Sequence, residues 1–173
     1  MHQIKVLDLP HGKFRDKGLP IDNVSNYDST AEEIVYICDA EQTRYAKLLF
    51  ATKQGMIKKV DGQEFQVAKS TIAATKLQAD DAVVSIQVIT DNQQVVLQTK
   101  DGYFLRFSAQ EVAEKKKAAV GVRGIKLRKN DELEQIYLFY EGTEHKISYG
   151  DRELTLNRLK VAKRDGTGTK ARS

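Results

Sequence analysis

Apolar residues in the middle of the chain gather into short runs. Leu48 to Thr52, Met56 to Val60, Val83 to Thr90, Val95 to Thr99, Tyr103 to Phe107 and Leu133 to Tyr140 are each rich in aliphatic, β-branched or aromatic side chains. Between them stand Lys53-Gln54-Gly55, Asp80-Asp81, Asp91-Asn92, Lys100-Asp101-Gly102 and Asn130-Asp131. Apolar runs of this length, cut by Gly, Asn and Asp, predict strands joined by tight turns. Asp101-Gly102 between two such runs is the strongest local hairpin signal, and Gly102 suits it because positive φ costs little without a Cβ.

The pattern repeats. One unit comprises Val95 to Leu97, the turn at Thr99 to Gly102, Tyr103 to Phe107, the basic loop Lys115-Lys116-Lys117 and a closing strand over Val122 to Leu127. An earlier copy runs from Leu48 through Gly55 and Glu64-Phe65 to Lys69 and Ile72 to Leu77. A later copy has Lys146 to Leu156 around Gly150, then Lys163-Arg164, without its final strand. A truncated copy opens the chain, with Ile4 to Leu7 and Leu19 to Val24 as strands around Lys13, Arg15 and Lys17. Turn glycines recur after 47 residues (Gly55, Gly102) and again after 48 (Gly150). Units of 40 to 50 residues holding about four short strands predict an all-β, propeller-like array. We expect one domain over 1–173, with units near 1–27 (partial), 32–79, 80–130 and 131–173 (partial).

Local signals refine the expectation. Ile34 to Cys38 reads as a strand, and Asp39 to Tyr45 as a polar hairpin connection into the next. Ser29 with Glu32 and Ser108 with Glu111 have capping-box spacing, the second predicting a helical turn toward Lys117. The acidic pairs Asp80-Asp81 and Asp131-Glu132 recur between strands and read as turn chemistry. Tyr36, Tyr103, Tyr137, Tyr140 and Tyr149 alternate within strands and read as packing residues. WD40 repeats are excluded because the chain contains no tryptophan, and kelch repeats because their paired glycines are missing.

Composition adds to this pattern chiefly through charge. With 40% hydrophobic residues and only two prolines the chain is expected to fold, and 30% charged residues make it soluble. No apolar run approaches the roughly 20 residues of a membrane span, and the opening MHQIKVLDL lacks signal-peptide architecture, so a cytoplasmic location is expected. Cys38 is the sole cysteine, which excludes an intrachain disulfide and leaves no basis for a structural zinc site. Net charge is +4, but residues 100–130 hold nine Lys or Arg against three acids, and 156–173 hold six against one. Residues 131–155 between them hold seven acids and two bases. A basic rim facing a polyanion follows from that segregation.

No phosphate-binding loop, serine elbow or convergent His/Cys/carboxylate set is present. His2, His11 and His145 are isolated. Arg44-Tyr45 superficially offers the Arg-Tyr pair of a DNA-cleaving tyrosine, but it sits in a polar connection without the rest of that motif. Neither a cofactor nor a metal is expected.

Gly121-Val122-Arg123-Gly124-Ile125-Lys126-Leu127, with Thr99-Lys100-Asp101-Gly102 before it and Asn130-Asp131-Glu132-Leu133 after it, resembles the repeats in the C-terminal domains of the A subunits of bacterial DNA gyrase and topoisomerase IV. The resemblance implies a β-pinwheel, a ring or spiral of blades that exchange strands and bend double-stranded DNA around a basic rim, presenting a segment to the cleavage core. It implies as partners the rest of the A subunit together with the ATP-hydrolysing B subunit, in the bacterial cytoplasm at the nucleoid. The candidate DNA contacts are Lys13, Arg15, Lys17, Lys69, Lys115, Lys116, Lys117, Arg123, Lys126, Arg128, Lys129, Lys163, Arg164 and Lys170. The gyrase box Q-R-R-G-G-K-G has its nearest counterpart in Ala162 to Gly168, where Ala, Asp and Thr replace the Gln, first Gly and Lys. A protein-interaction propeller docking through its acidic segment, 131–155, is the alternative.

Overall fold

The structure is a computed structural model that describes residues 1–171. Strands begin at Lys47: β1 (Lys47–Thr52), β2 (Met56–Asp61), β3 (Val83–Ile89), β4 (Gln93–Thr99), β5 (Tyr103–Ser108), β6 (Val122–Arg123), β7 (Leu133–Tyr140), β8 (Lys146–Tyr149), β9 (Arg152–Thr155) and β10 (Thr169–Lys170). They form two four-stranded antiparallel sheets, ordered β3-β1-β2-β6 and β7-β4-β5-β10, and the separate hairpin β8-β9. Each blade takes a hairpin from one unit and both outer strands from the next. The outer pairing partners of β2 and β5, β6 and β10, are therefore more than 60 residues away in sequence.

Strand parity explains why the runs are apolar throughout. Leu49 and Ala51 of β1 face a central core shared with Val95, Leu97, Phe107 and Ile136 of the second blade. Leu48 and Phe50, one residue out of phase, face the other way with Val60 and Phe65. Val96 and Phe104 likewise turn away from the central core, onto Ile147, Tyr149 and Leu154 of the last hairpin. With both faces buried, β1, β4 and β5 cannot show the polar alternation of a one-sided sheet.

The repeat is carried by the backbone in detail. Gly55 and Gly102 have φ of 76° and 79° and close three-residue connections. The amide of Gly124 donates to Gly55 O and that of Ala171 to Gly102 O. Asp81 Oδ1 accepts from the amides of Gln54 and Ala82, and Asp131 Oδ1 from those of Asp101 and Glu132. The preceding residues, Asp80 and Asn130, both have positive φ. The repeated acidic turn thus pairs Asp80-Asp81 with Asn130-Asp131, one residue earlier than the Asp131-Glu132 pairing expected from sequence.

Several expected elements take other forms. Ile4 to Leu7 and Leu19 to Val24 are not strands: 3-10 turns occupy Val6–Asp8 and Ile21–Asn23, and Leu7 and Phe14 are fully exposed. This opening segment lies against the 70–72 stretch through a His2–Thr71 bridge. Ile34 to Cys38 and the 73–77 stretch have no regular secondary structure and pair with no strand among the described residues. Asp39 caps a short helix, α1 (Ala40–Arg44), in place of a hairpin connection. Asp28, rather than Ser29, does the capping near Glu32, accepting from the Thr30 amide. Ser108 does cap a 3-10 turn, but that turn ends at Glu111. The closing strand expected over Val122 to Leu127 is only two residues long. Conversely, the last unit does have a closing strand, β10, where its sequence pattern predicts none.

Candidate nucleic-acid interface

The basic loops are fastened to the preceding blade. After the 3-10 turn the chain runs back along β2, where Lys59 bridges Glu114 in parallel and Lys115 N donates to Lys59 O at 2.8 Å. The next unit repeats the step on β5: Arg106 bridges Val161, and Ala162 N donates to Arg106 O at 2.8 Å. Lys116 and Lys163, each one residue farther on, therefore stand at equivalent places on the edges of successive blades, and both are exposed.

Buried cations hold these loops in place. Lys58, 1% exposed, donates from Nζ to the carbonyls of Lys116 (3.3 Å), Lys117 (2.7 Å) and Ala119 (2.6 Å). Burial pushes its ammonium down to about 8. Lys59 reaches Asp91 at 2.6 Å and the Ala109 carbonyl, while Arg106 reaches Gln94 and the carbonyls of Asn157 and Leu159. These three side chains lie within β2 and β5, at positions that the charge pattern alone does not separate from rim lysines.

The candidate contacts divide by their surroundings. Lys116 pairs with Glu64 at 3.0 Å, which raises its pKa, and Lys117 donates from its amide to Glu64 Oε2 and from Nζ to Glu64 O. The Glu64 carboxyl is lowered, chiefly by that amide. Arg123 forms a two-pronged pair with Asp165, raising the guanidinium and lowering the carboxyl chiefly through their hydrogen bond. Arg164 donates to the Arg123 carbonyl, and its amide donates to Glu111. Lys117, Arg123 and Arg164 thus cross-link loops, each through a partner on another segment.

The remaining candidates are exposed. Lys115, Lys126, Lys129 and Lys163 have no ion-pair partner among the described residues, and neither does Lys69. Lys69 lies 47 residues before Lys116. Lys13, Arg15 and Lys17 are exposed on the opening segment, off any blade. Arg128 lies over the Tyr103 ring, 3.5 Å from its centroid, and Lys170 lies 5.6 Å from the same centroid. Among the described residues no cluster of His, Cys, Asp and Glu is placed to hold a metal, and no helix is long and apolar enough to cross a membrane. Tyr45 is 82% exposed at the end of α1.

A family model described as the DNA gyrase C-terminal domain, β-propeller, matches twice, over residues 46–90 and 93–139, together more than half of the chain. Each match starts at the opening strand of a blade hairpin and ends with the first strand of the following unit, which pairs with that opening strand. The chain belongs to the DNA gyrase C-terminal domain family. Among curated relatives, the DNA gyrase A protein of Lawsonia intracellularis is 29% identical over 97% of the chain and 21% of its own length. That of Chlamydia muridarum is 35% identical over 75% of the chain and 16% of its own length. The chain therefore spans about a fifth of the curated relatives it matches. The crystal structure of the C-terminal domain of DNA topoisomerase IV superposes with a TM-score of 0.83 at 26% identity, over 95% of the chain and 53% of that domain. The structure of the DNA gyrase A C-terminal domain gives 0.72 at 22% identity and supports the fold.

Within this family the β-pinwheel expected from sequence is the fold observed, strand exchange included. Where the gyrase box has its first glycine, this chain has Asp165, at φ 70° in the region that favours glycine. The aspartate is accommodated there while facing Arg123.

Proposed function

We propose that the chain is the DNA-binding and DNA-bending part of the A subunit of a type IIA topoisomerase, acting on duplex DNA without reading its sequence. The observation that carries this reading is the equivalent placement of Lys116 and Lys163 on successive blade edges, with Lys115, Lys126 and Lys129 exposed around them. Cations on a rigid rim contact phosphates, and phosphate contacts position DNA without sequence information. Blades that rotate stepwise lead the duplex along a curve, and repeated contacts offset a bending cost of about 1–6 kcal/mol per 20–30 base pairs. The domain itself breaks no bond and holds no cofactor. It serves the catalytic part of the same polypeptide and, through that part, the ATP-hydrolysing B subunit in the bacterial cytoplasm.

Fluorescence anisotropy with unrelated duplexes of about 20 and about 140 base pairs across a salt series tests the reading. We expect equal affinity for different sequences, tighter binding of the longer duplex, and a log–log salt slope of about −0.9 per phosphate contacted. A folded protein that binds neither duplex at about 50 mM salt overturns it.

A further inference from the structure

We propose that Arg128, Lys170 and Tyr103 form a composite phosphodiester-binding site, a second anchor on the edge of the second blade; the choice of ligand rests on the DNA-binding reading above. Three segments meet here. Tyr103 opens β5, Lys170 lies opposite it in the β5–β10 ladder, and Arg128 follows the glycine-rich segment of the preceding unit. The two cations belong to different repeats and converge through strand exchange.

Three features mark the cluster out. First, Arg128 and Lys170 are exposed and carry no ion pair among the described residues, unlike Lys116 and Arg123. Second, the guanidinium at 3.5 Å from the ring centroid is within cation–π range, so the aromatic face orients the cation without neutralising its charge. Arg123, by contrast, is held by both oxygens of the Asp165 carboxylate. Third, the Tyr103 hydroxyl has no hydrogen-bond partner among the described residues, so the ring, and not the hydroxyl, gives the residue its role.

Position supports the same assignment. Arg106, the bridge position that leads to Lys163, lies three residues along β5 from Tyr103, or about 10 Å at strand spacing. That is roughly three phosphate steps along one DNA strand, or nearly a major-groove width. A duplex on this edge therefore meets Lys163 at one end and the Arg128–Lys170 pair at the other. On the first blade the position equivalent to Lys170 is Arg123, 47 residues earlier, and Asp165 already occupies it. The two blades therefore grip unequally, the second more strongly.

The test uses the full chain in the anisotropy salt series, with urea unfolding as a check on folding. Arg128→Ala with Lys170→Ala lowers the magnitude of the salt slope by about 1.8, whereas Arg123→Ala changes it by less than about half a contact. Tyr103→Phe binds as wild type does, and Tyr103→Thr weakens binding by about 2- to 5-fold at unchanged unfolding midpoint. A purely structural tyrosine moves the midpoint and leaves the slope alone. Wild-type slope and affinity in both the Arg128/Lys170 and Tyr103→Thr variants overturn the site while leaving DNA binding standing. Absence of duplex binding by the wild-type chain overturns the functional reading itself.

Discussion

Replacing Lys58 by Met tests how the basic loop is held. The ammonium supplies three hydrogen bonds to the loop carbonyls of Lys116, Lys117 and Ala119. Each charged bond contributes about 1.5–3 kcal/mol, so losing all three costs about 5–6 kcal/mol near the lower end of that range. Against this stands the cost of burying the charge. The ammonium is pushed from 10.5 to about 8, a gap equivalent to about 3 kcal/mol, which methionine does not incur. The net expectation at pH 7 is a loss of about 2–3 kcal/mol. The pH dependence has a definite sign. Below pH 8 the lysine is protonated both folded and unfolded; between about 8 and 10.5 the unfolded chain binds more protons, so wild-type stability rises with pH. The methionine variant lacks that rise, and the neutral amine still donates two bonds. The gap between the proteins should widen to about 5 kcal/mol near pH 10.5, read as urea-unfolding free energies across the range. A gap that is constant or narrows with pH would show that the Lys58 ammonium is not destabilised by burial.

Two further perturbations probe the frame and the rim. A Cβ on Gly62 meets the Thr43 carbonyl oxygen at 1.6 Å, where α1 packs against the 3-10 turn, so Gly62→Ala should cost more than about 3 kcal/mol or abolish folding in thermal unfolding. Asp165→Gly relieves a φ of 70° but removes the partner of Arg123; an exposed ion pair contributes little, so the urea midpoint should stay nearly unchanged or rise slightly. The freed Arg123 should steepen the DNA salt slope by up to about 0.9, and a shallower slope contradicts the assignment.

What the sequence revealed depended on how local the cause was. Hairpins around Gly55 and Gly102 were legible because a glycine with positive φ and two apolar runs lie within about a dozen residues. The all-β repeat was legible from its period. Strand β10 was not, because Thr169-Lys170 carries no apolar signal; the offset of 47 from Gly121 to Gly168, both at positive φ, was the available clue. Ile34 to Cys38 looks like a strand by propensity, yet in this chain no neighbouring strand pairs with it among the described residues. For the rim, the density of lysines was visible but their partners were not. Glu64 lies 52 residues before Lys116, and Asp165 lies 42 after Arg123, so strand exchange decided which cations have an acidic neighbour. Lys58 and Arg106 were hidden for the opposite reason, as charges inside strands that the fold uses to pin loops.

If equivalent cations on successive blades bend the duplex, end-to-end energy transfer on a dye-labelled duplex of roughly 20 base pairs reports the bend, because free DNA of that length is nearly straight. Saturating protein should shorten the end-to-end distance, and Lys116→Glu with Lys163→Glu should abolish the shortening before it abolishes binding. A duplex that binds in a salt-dependent way but keeps its free length, or one that shortens equally with the doubly reversed variant, would show that Lys116 and Lys163 do not bend DNA.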